Sequence, residues 1–288
     1  MTVGRPGEPA PVGPGQGGPG RQGGHRPQAL LLSFLGGLVQ GRDLPPIPAA
    51  VFLRLLGCLG VSEAAARATL ARMTRRGLLD RSQHGRTACY ALTPAGNALL
   101  TRASTRVNSR TPFDHGETGW TLLSYSMPES RRDLRHQLRA TLTWAGFGGL
   151  RDGLWIAPGT VDVAAVFADA ELTEAAGLAE WFLAAPLPGV DVPALIHRAW
   201  PVERIRQRHE AFLDTWEAGP GPGDPLGRMT LLGADWLQLL RVDPGLPAAH
   251  LPPGWPAARS AAAYHRCAEA LLGAADRQLS AELGLRNR

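Results

Sequence analysis

The chain is 288 residues long, about two domains' worth, and its 44 % hydrophobic and 19 % charged residues fit a globular protein with real cores. All 30 basic residues are arginine, and against 25 acids they leave a formal charge of +5. No apolar run reaches the roughly 18–20 residues of a membrane span, and three scattered cysteines without Cys-x-x-Cys spacing argue against a disulfide framework and for a reducing cytoplasm. The histidines lie far apart. His265 and Cys267, at i and i+2 of a helix, make a poor chelate, so no metal site is expected.

Residues 1–27 hold nine Gly and six Pro with little to bury, the composition of a disordered tail. The apolar stretch Ala29–Val39 begins too late for a signal peptide and reads as part of a buried helix over Gln28–Gln40, whose Gly36 and Gly37 permit close packing. A second helix is expected over Ile47–Leu59, with Val51, Phe52, Leu55, Leu56 and Leu59 on one face. Gly60 breaks the chain, Ser62 can cap a third helix over Glu63–Arg76, and Gly77 stops it. Leu78–Ser82 and Thr87–Leu92 read as strands of a hairpin turning over 83–86, and Thr93-Pro94 restarts a helix. Helix, helix, turn, helix, hairpin, helix is the order of a winged helix-turn-helix domain, placed at 28–107. A linker over Asn108–Thr118 leads to a strand at Trp120–Ser126, a helix at Met127–Trp144 with Leu138, Leu142 and Phe147 inward, a strand at Gly153–Ala157, a helix at Val161–Asp169 and a strand at Ala179–Ala184. That alternation predicts a small α+β domain over 118–190, and from 191 to 288 the pattern is helical, apart from Gly/Pro-rich breaks at Gly219–Pro225 and Asp243–Pro256.

Charge is distributed unevenly. Residues 67–86 carry six arginines and one acid, while the rest of the chain holds 24 of each, so the whole basic excess sits in one window. Within the third helix Ala66, Leu70 and Met73 pack inward. Ala64, Arg67, Ala68, Ala71, Arg72 and Arg75 face out, small residues between cations that let a backbone approach a DNA groove. Ser62, Arg67, Thr69, Arg72, Arg75 and Arg76 are the candidate DNA-contacting residues of this helix, with Arg67 and Arg72 for base edges and Arg75 and Arg76 for phosphate. Arg81, His84 and Arg86 are those of the wing. The bland alternative is a solvated arginine face in a protein without lysine.

These residues resemble the PaaX-like transcriptional regulators, the repressors of phenylacetate degradation. The resemblance rests on Gly60-Val61-Ser62-Glu63, Arg67-x-x-Leu70-x-Arg72-Met73, Arg76-Gly77-Leu78-Leu79 and Gly85-Arg86-x-x-x-Tyr90-x-Leu92-Thr93-Pro94-x-Gly96. It continues through Trp120 to Pro128-Glu129, Leu142-x-Trp144-x-Gly146-Phe147-Gly148, Gly153-Leu154-Trp155-Ile156, Asp243-Pro244-Gly245-Leu246-Pro247 and Leu251-Pro252-x-x-Trp255-Pro256. It implies a winged helix, a ferredoxin-like middle domain and a helical C-terminal domain for effector binding and dimerisation. It further implies a homodimeric cytoplasmic repressor of a catabolic operon, released by an aryl-acyl-CoA thioester such as phenylacetyl-CoA. Trp155, Trp200, Arg204, Arg208 and His209 are the candidate effector residues, aromatic rings for an aryl or adenine group and arginines for phosphates; the competing reading is core tryptophans and a solvated arginine stripe. The chain departs from the family pattern at Ala234-Asp235-Trp236-Leu237, where the family carries a His and an Arg, and at Trp200-Pro201-Val202 with His209, where it carries Trp-Asp-Leu and then a Tyr.

No catalytic constellation competes with this reading. Without lysine there is no Walker-type phosphate loop, and Gly-x-Ser-x-Gly is absent. A ferredoxin-like domain can also be a metal-dependent nuclease, but the first strand ends Ser124-Tyr125-Ser126, and the first acid, Glu129, sits at a helix start like a cap. The expectation is a regulator and not an enzyme, needing no cofactor, bound as a dimer to double-stranded DNA at a palindromic operator. The alternative is a winged-helix module that binds a protein instead of DNA.

Overall fold

The computed structural model describes residues 25–114, 119–167 and 172–285. The Gly/Pro-rich stretch up to Gly24, the end of the expected linker and the end of the helix expected at Val161–Asp169 fall outside the described residues.

Pro27, at home in a first helical turn, opens α1 (Pro27–Phe34), which buries Leu30, Leu31 and Phe34. The winding then widens into a π-helix over Leu35–Val39, so the expected single helix has two pitches. Its Gly36 lies close enough to α4 (Pro94–Asn108) that a Cβ would meet Leu100 at 3.4 Å. Ile47 and Pro48, expected to begin the second helix, instead form strand β1 (Ile47–Pro48). A residue before proline is pushed out of the helical region, and proline's missing N–H is tolerated on a sheet edge. Helix α2 (Ala49–Cys58) follows, burying Val51, Phe52, Leu55 and Leu56 and ending at the exposed Cys58, whereas Cys89 and Cys267 are buried.

Ser62 accepts the Ala65 N–H at 3.3 Å and opens α3 (Glu63–Arg75). The helix closes in a Schellman motif: Leu78 N–H bonds to Met73 O at 3.0 Å and Gly77 N–H to Thr74 O at 2.9 Å, with Gly77 at φ 68°. Strands β2 (Leu79–His84) and β3 (Thr87–Leu92) pair from Leu79↔Leu92 to His84↔Thr87, leaving Gly85 and Arg86 as a two-residue turn, tighter than the sequence indicated. β1 flanks β3 on the other side, giving the antiparallel order β1-β3-β2. Thr93 accepts the Gly96 N–H at 2.9 Å to cap α4. Helices α1–α3 with this sheet form the winged-helix arrangement.

The middle of the chain runs β4 (Trp120–Tyr125), α5 (Arg132–Trp144), β5 (Gly148–Arg151), β6 (Leu154–Pro158), the single turns α6 (Val163–Val166) and α7 (Thr173–Ala176), and β7 (Ala179–Ala184). The antiparallel order β5-β6-β4-β7 is ferredoxin-like. Pro128 delays α5 by keeping Met127 out of helix; Glu129–Arg131 make a 3-10 turn first. The edge strand β7 leaves Trp181, Phe182 and Leu183 exposed. Residues of β4 and β6 alternate: Leu123, Tyr125, Trp155 and Ala157 meet Leu138 and Leu142 of α5, while Trp120 and Ile156 face the opposite side. That side is covered by Ile196 and Trp200, from α8 (Val192–Ala199) and its C-terminal end. β5 is an addition to the strands expected from the sequence, and Gly148 explains how it fits: a Cβ there would lie 2.6 Å from Trp200 and 2.7 Å from Ala199 O.

Three long helices complete the chain, α9 (Val202–Trp216), α10 (Pro225–Val242) and α11 (Ala257–Glu282), with Trp236 stacked on Tyr264 at 4.4 Å. No helix among the described residues is long and apolar enough to cross a membrane. Helix α10 also packs on α1, where Ser33 Oγ donates to Thr230 O at 2.7 Å. As a result Leu226, Ala234, Ala275 and Leu279 share one core with Leu30, Phe34, Phe52 and Met73. Two glycines test this packing in opposite directions. Gly57→Ala, in the exposed part of α2 with nothing near its Cβ position, should raise stability by about 0.5–1 kcal/mol. Gly148→Ala should lower it by about 1–3 kcal/mol in urea unfolding.

Candidate nucleic-acid interface

Helix α3 presents two distinct sides. Ala66, Leu70 and Met73 are buried, while Ala64, Arg67, Ala68, Ala71, Arg72 and Arg75 are exposed as the periodicity predicts. Arg67 is held by Glu63 one turn back, at 2.6 Å, an exposed pair that water weakens. Thr69, grouped in the sequence with the exposed contacts, is fully buried and cannot reach DNA. Its hydroxyl donates to Ala65 O at 2.8 Å and accepts from Arg72 Nη2 at 2.7 Å, so it aims Arg72 across the surface. The stripe Ala66, Thr69, Leu70, Met73 has the i, i+3, i+4, i+7 spacing of a buried face, a signal that would have placed Thr69 inward. Ser62 is exposed, and its oxygen is engaged in the cap.

Arg72 and Arg75 fall in the last turn of α3, where the carbonyl end of the helix favours cations. Arg75, Arg76, Arg81 and Arg86 are exposed and form no ion pair among the described residues. In the wing, Arg81 and His84 lie three positions apart on β2 and therefore point to opposite faces of the ribbon. Arg81 shares the face of buried Leu79, and Arg86 occupies the turn between the strands.

The five candidate effector residues are not gathered around one cavity. Trp155 and Trp200 lie on opposite faces of the four-stranded sheet, both buried. Trp200 donates from Nε1 to Gly146 O at 3.2 Å. His209 is fully buried on α9, with Nε2 2.8 Å from Asp243 Oδ2 and Nδ1 3.0 Å from Ser260 Oγ. Ser260, His209 and Asp243 follow the order of a hydrolytic triad, but all three are sealed in the interior and no substrate reaches the hydroxyl. They clamp three segments instead. Asp243 Oδ1 accepts the Gly245 N–H at 2.7 Å, and Arg106 of α4 donates to the Asp243 carbonyl at 2.7 Å. Burial pulls the Arg106 guanidinium below its usual pKa, and Asp243 partly offsets that. Only Arg204 and Arg208 are exposed, one turn apart on α9. Glu129 is bonded to Arg132 at 2.6 Å and to Arg135 at 3.1 Å, which hold its carboxyl below the usual carboxylate range.

A cationic winged helix borne on a ferredoxin-like sheet and a helical C-terminal part is the class this fold and surface define. Family models divide the chain in the same order: "PaaX-like protein" at residues 26–96, "PaaX protein central Cas2-like domain" at 114–183 and "PaaX-like protein C-terminal domain" at 200–281. The chain belongs to the PaaX family. It is 27 % identical over 216 residues to the transcriptional repressor PaaX of Escherichia coli (strain K12), a match spanning 70 % of this chain and 66 % of that repressor. Among solved structures it is similar to the uncharacterized protein Rv0674 from Mycobacterium tuberculosis, with a TM-score of 0.58 and 26 % identity over 87 % of this chain and 97 % of that one.

Removing His209 from the buried clamp leaves Asp243 Oδ2 without its partner in the interior, while Oδ1 keeps the Gly245 amide. His209→Leu should therefore cost about 3–5 kcal/mol in chemical denaturation. An equivalent loss should not follow Arg204→Gln, on the solvent side of the same helix.

Proposed function

We propose that the chain is a DNA-binding transcriptional repressor and not an enzyme. The observation that carries this reading is the set of exposed arginines on α3 and its hairpin, of which Arg75, Arg76, Arg81 and Arg86 have no ion pair among the described residues, on a winged helix whose inward face is fully packed. The similarity to a transcriptional repressor supports it. Arg67 and Arg72 are assigned to base edges, Arg75 and Arg76 to phosphate, and the wing to the adjoining backbone or minor groove.

The finer reading is a cytoplasmic homodimer on a palindromic operator of a catabolic operon, released by an aryl-acyl-CoA thioester. The exposed apolar edge of β7, with Phe182 at 56 % and Leu183 at 64 % exposure, supports a dimer, since such edges are usually paired or charged. Release requires the effector to favour the DNA-incompetent arrangement, because equal affinity for both states shifts nothing.

Fluorescence anisotropy on the DNA upstream of the chain's own gene, across a salt series with and without phenylacetyl-CoA, tests the reading. Binding through about 6–10 phosphates should fall on the order of 10³–10⁵ between 50 and 200 mM salt. A protein-docking module would show little salt dependence and no preference over random DNA. Arg75→Ala should weaken binding to all sequences alike and flatten the salt slope by about one. Thr69→Val keeps the packing volume but releases Arg72; the ratio of operator to random affinity should fall about fivefold while the salt slope holds.

A further inference from the structure

Between α1, α9 and α10 the surface opens into a cleft of about 350 Å³. Leu30, Leu59, Phe212 and Leu239 supply an apolar lining, and the lining also includes Arg208 on α9, Asp235 on α10 and His25, the partner of Asp235. Asp235 is fixed in place: its Oδ1 is 2.7 Å from His25 Nε2 and its Oδ2 accepts from Trp216 Nε1 at 2.9 Å. A carboxylate offers about four acceptor positions, so two remain, and a side chain that is 25 % exposed presents them to the cleft. Arg208 is exposed and has no ion pair among the described residues.

We infer that this cleft binds a small zwitterion, a molecule of amino-acid size with an apolar body, an ammonium group for Asp235 and a carboxylate for Arg208. Ligand sites span roughly 300–1,000 Å³, and this one is at the lower end, too small to seat a nucleotide-bearing ligand whole. Asp235 is already held by His25 and Trp216, so an ammonium would use only its remaining acceptor positions, and a carboxylate would give the exposed Arg208 a partner.

The cleft has a direct route to α3. Leu59 in its lining is followed by Gly60, then Val61, whose N–H bonds to Leu56 O at 2.9 Å, and then the Ser62 cap. A ligand pressing on Leu59 acts on the turn that aims α3. That consequence rests on the proposed repressor reading, whereas the binding does not.

Calorimetry on the full chain with L-phenylalanine, phenethylamine and 3-phenylpropionate separates the groups, the aromatic body being chosen to meet Phe212. L-phenylalanine should bind, and each singly charged analogue should bind about tenfold more weakly or worse. Arg208→Gln should weaken L-phenylalanine about tenfold and leave phenethylamine unchanged. Arg198→Gln, exposed on α8 and outside the cleft, should change neither. Asp235→Asn should show the converse pattern; because Asp235 also holds Trp216, Arg208→Gln decides the matter if that variant does not fold. No heat with L-phenylalanine up to about 10 mM, equal affinity for the three probes, or indifference to Arg208→Gln overturns the site. So does binding of phenylacetyl-CoA with none of L-phenylalanine. Anisotropy of the DNA complex with L-phenylalanine is read separately: absence of DNA binding at every salt would sink the repressor reading and leave the calorimetric result standing.

Discussion

The contact of α1 with α10 is the constraint on which the rest of the structure depends. Leu30, Leu31 and Phe34 are almost fully removed from water, each contributing about 1.5–3 kcal/mol relative to an exposed side chain. They are covered by α2 and α3 on one side and by the C-terminal helices on the other. Met73 and Leu70, which anchor the arginine-bearing helix, belong to the same core as Ala275 and Leu279 of α11. A close-packed interior transmits displacement rather than absorbing it. The winged helix is therefore mechanically part of the C-terminal helices, and cutting the chain after α4 would strip apolar surface from both.

Polar contacts reinforce this union at a second point. Arg106 reaches from α4 to the carbonyl of Asp243, whose carboxylate is engaged by His209 and the Gly245 amide. The ferredoxin-like sheet is tied in through Trp200, which fills the space Gly148 leaves. Against this tightly partnered interior Arg75, Arg76, Arg81 and Arg86 stand out, exposed and without an ion pair among the described residues. Guanidinium is weakly hydrated and presents a planar fork of donors, so a face of exposed arginines between alanines loses little on leaving water for an anionic partner.

Features coded by neighbouring residues are legible in the sequence. The Ser62 and Thr93 caps, the stop at Gly77, the hairpin and the inward stripe of α3 depend on contacts a few positions apart, and each is where local chemistry puts it. Features coded across the chain are not. β1 is two residues whose partners lie some 40 positions on, and β5 is a Gly-Gly segment with no strand composition. Thr69 reads as a contact by its polarity, although its spacing places it inward. The effector set is dispersed for the same reason at larger scale: aromatic and basic residue types are visible, but which face of a sheet or helix each occupies is decided by tertiary packing.

The burial of two of the three cysteines leaves Cys58 as the thiol open to solvent. It ends α2, next to Leu59 in the cleft lining and four positions before the cap of α3. With no lysine in the chain to compete for electrophiles, a maleimide dye would attach there without any engineered substitution. The native protein thus carries its own attachment point for an optical reporter at the joint between the cleft and the arginine face.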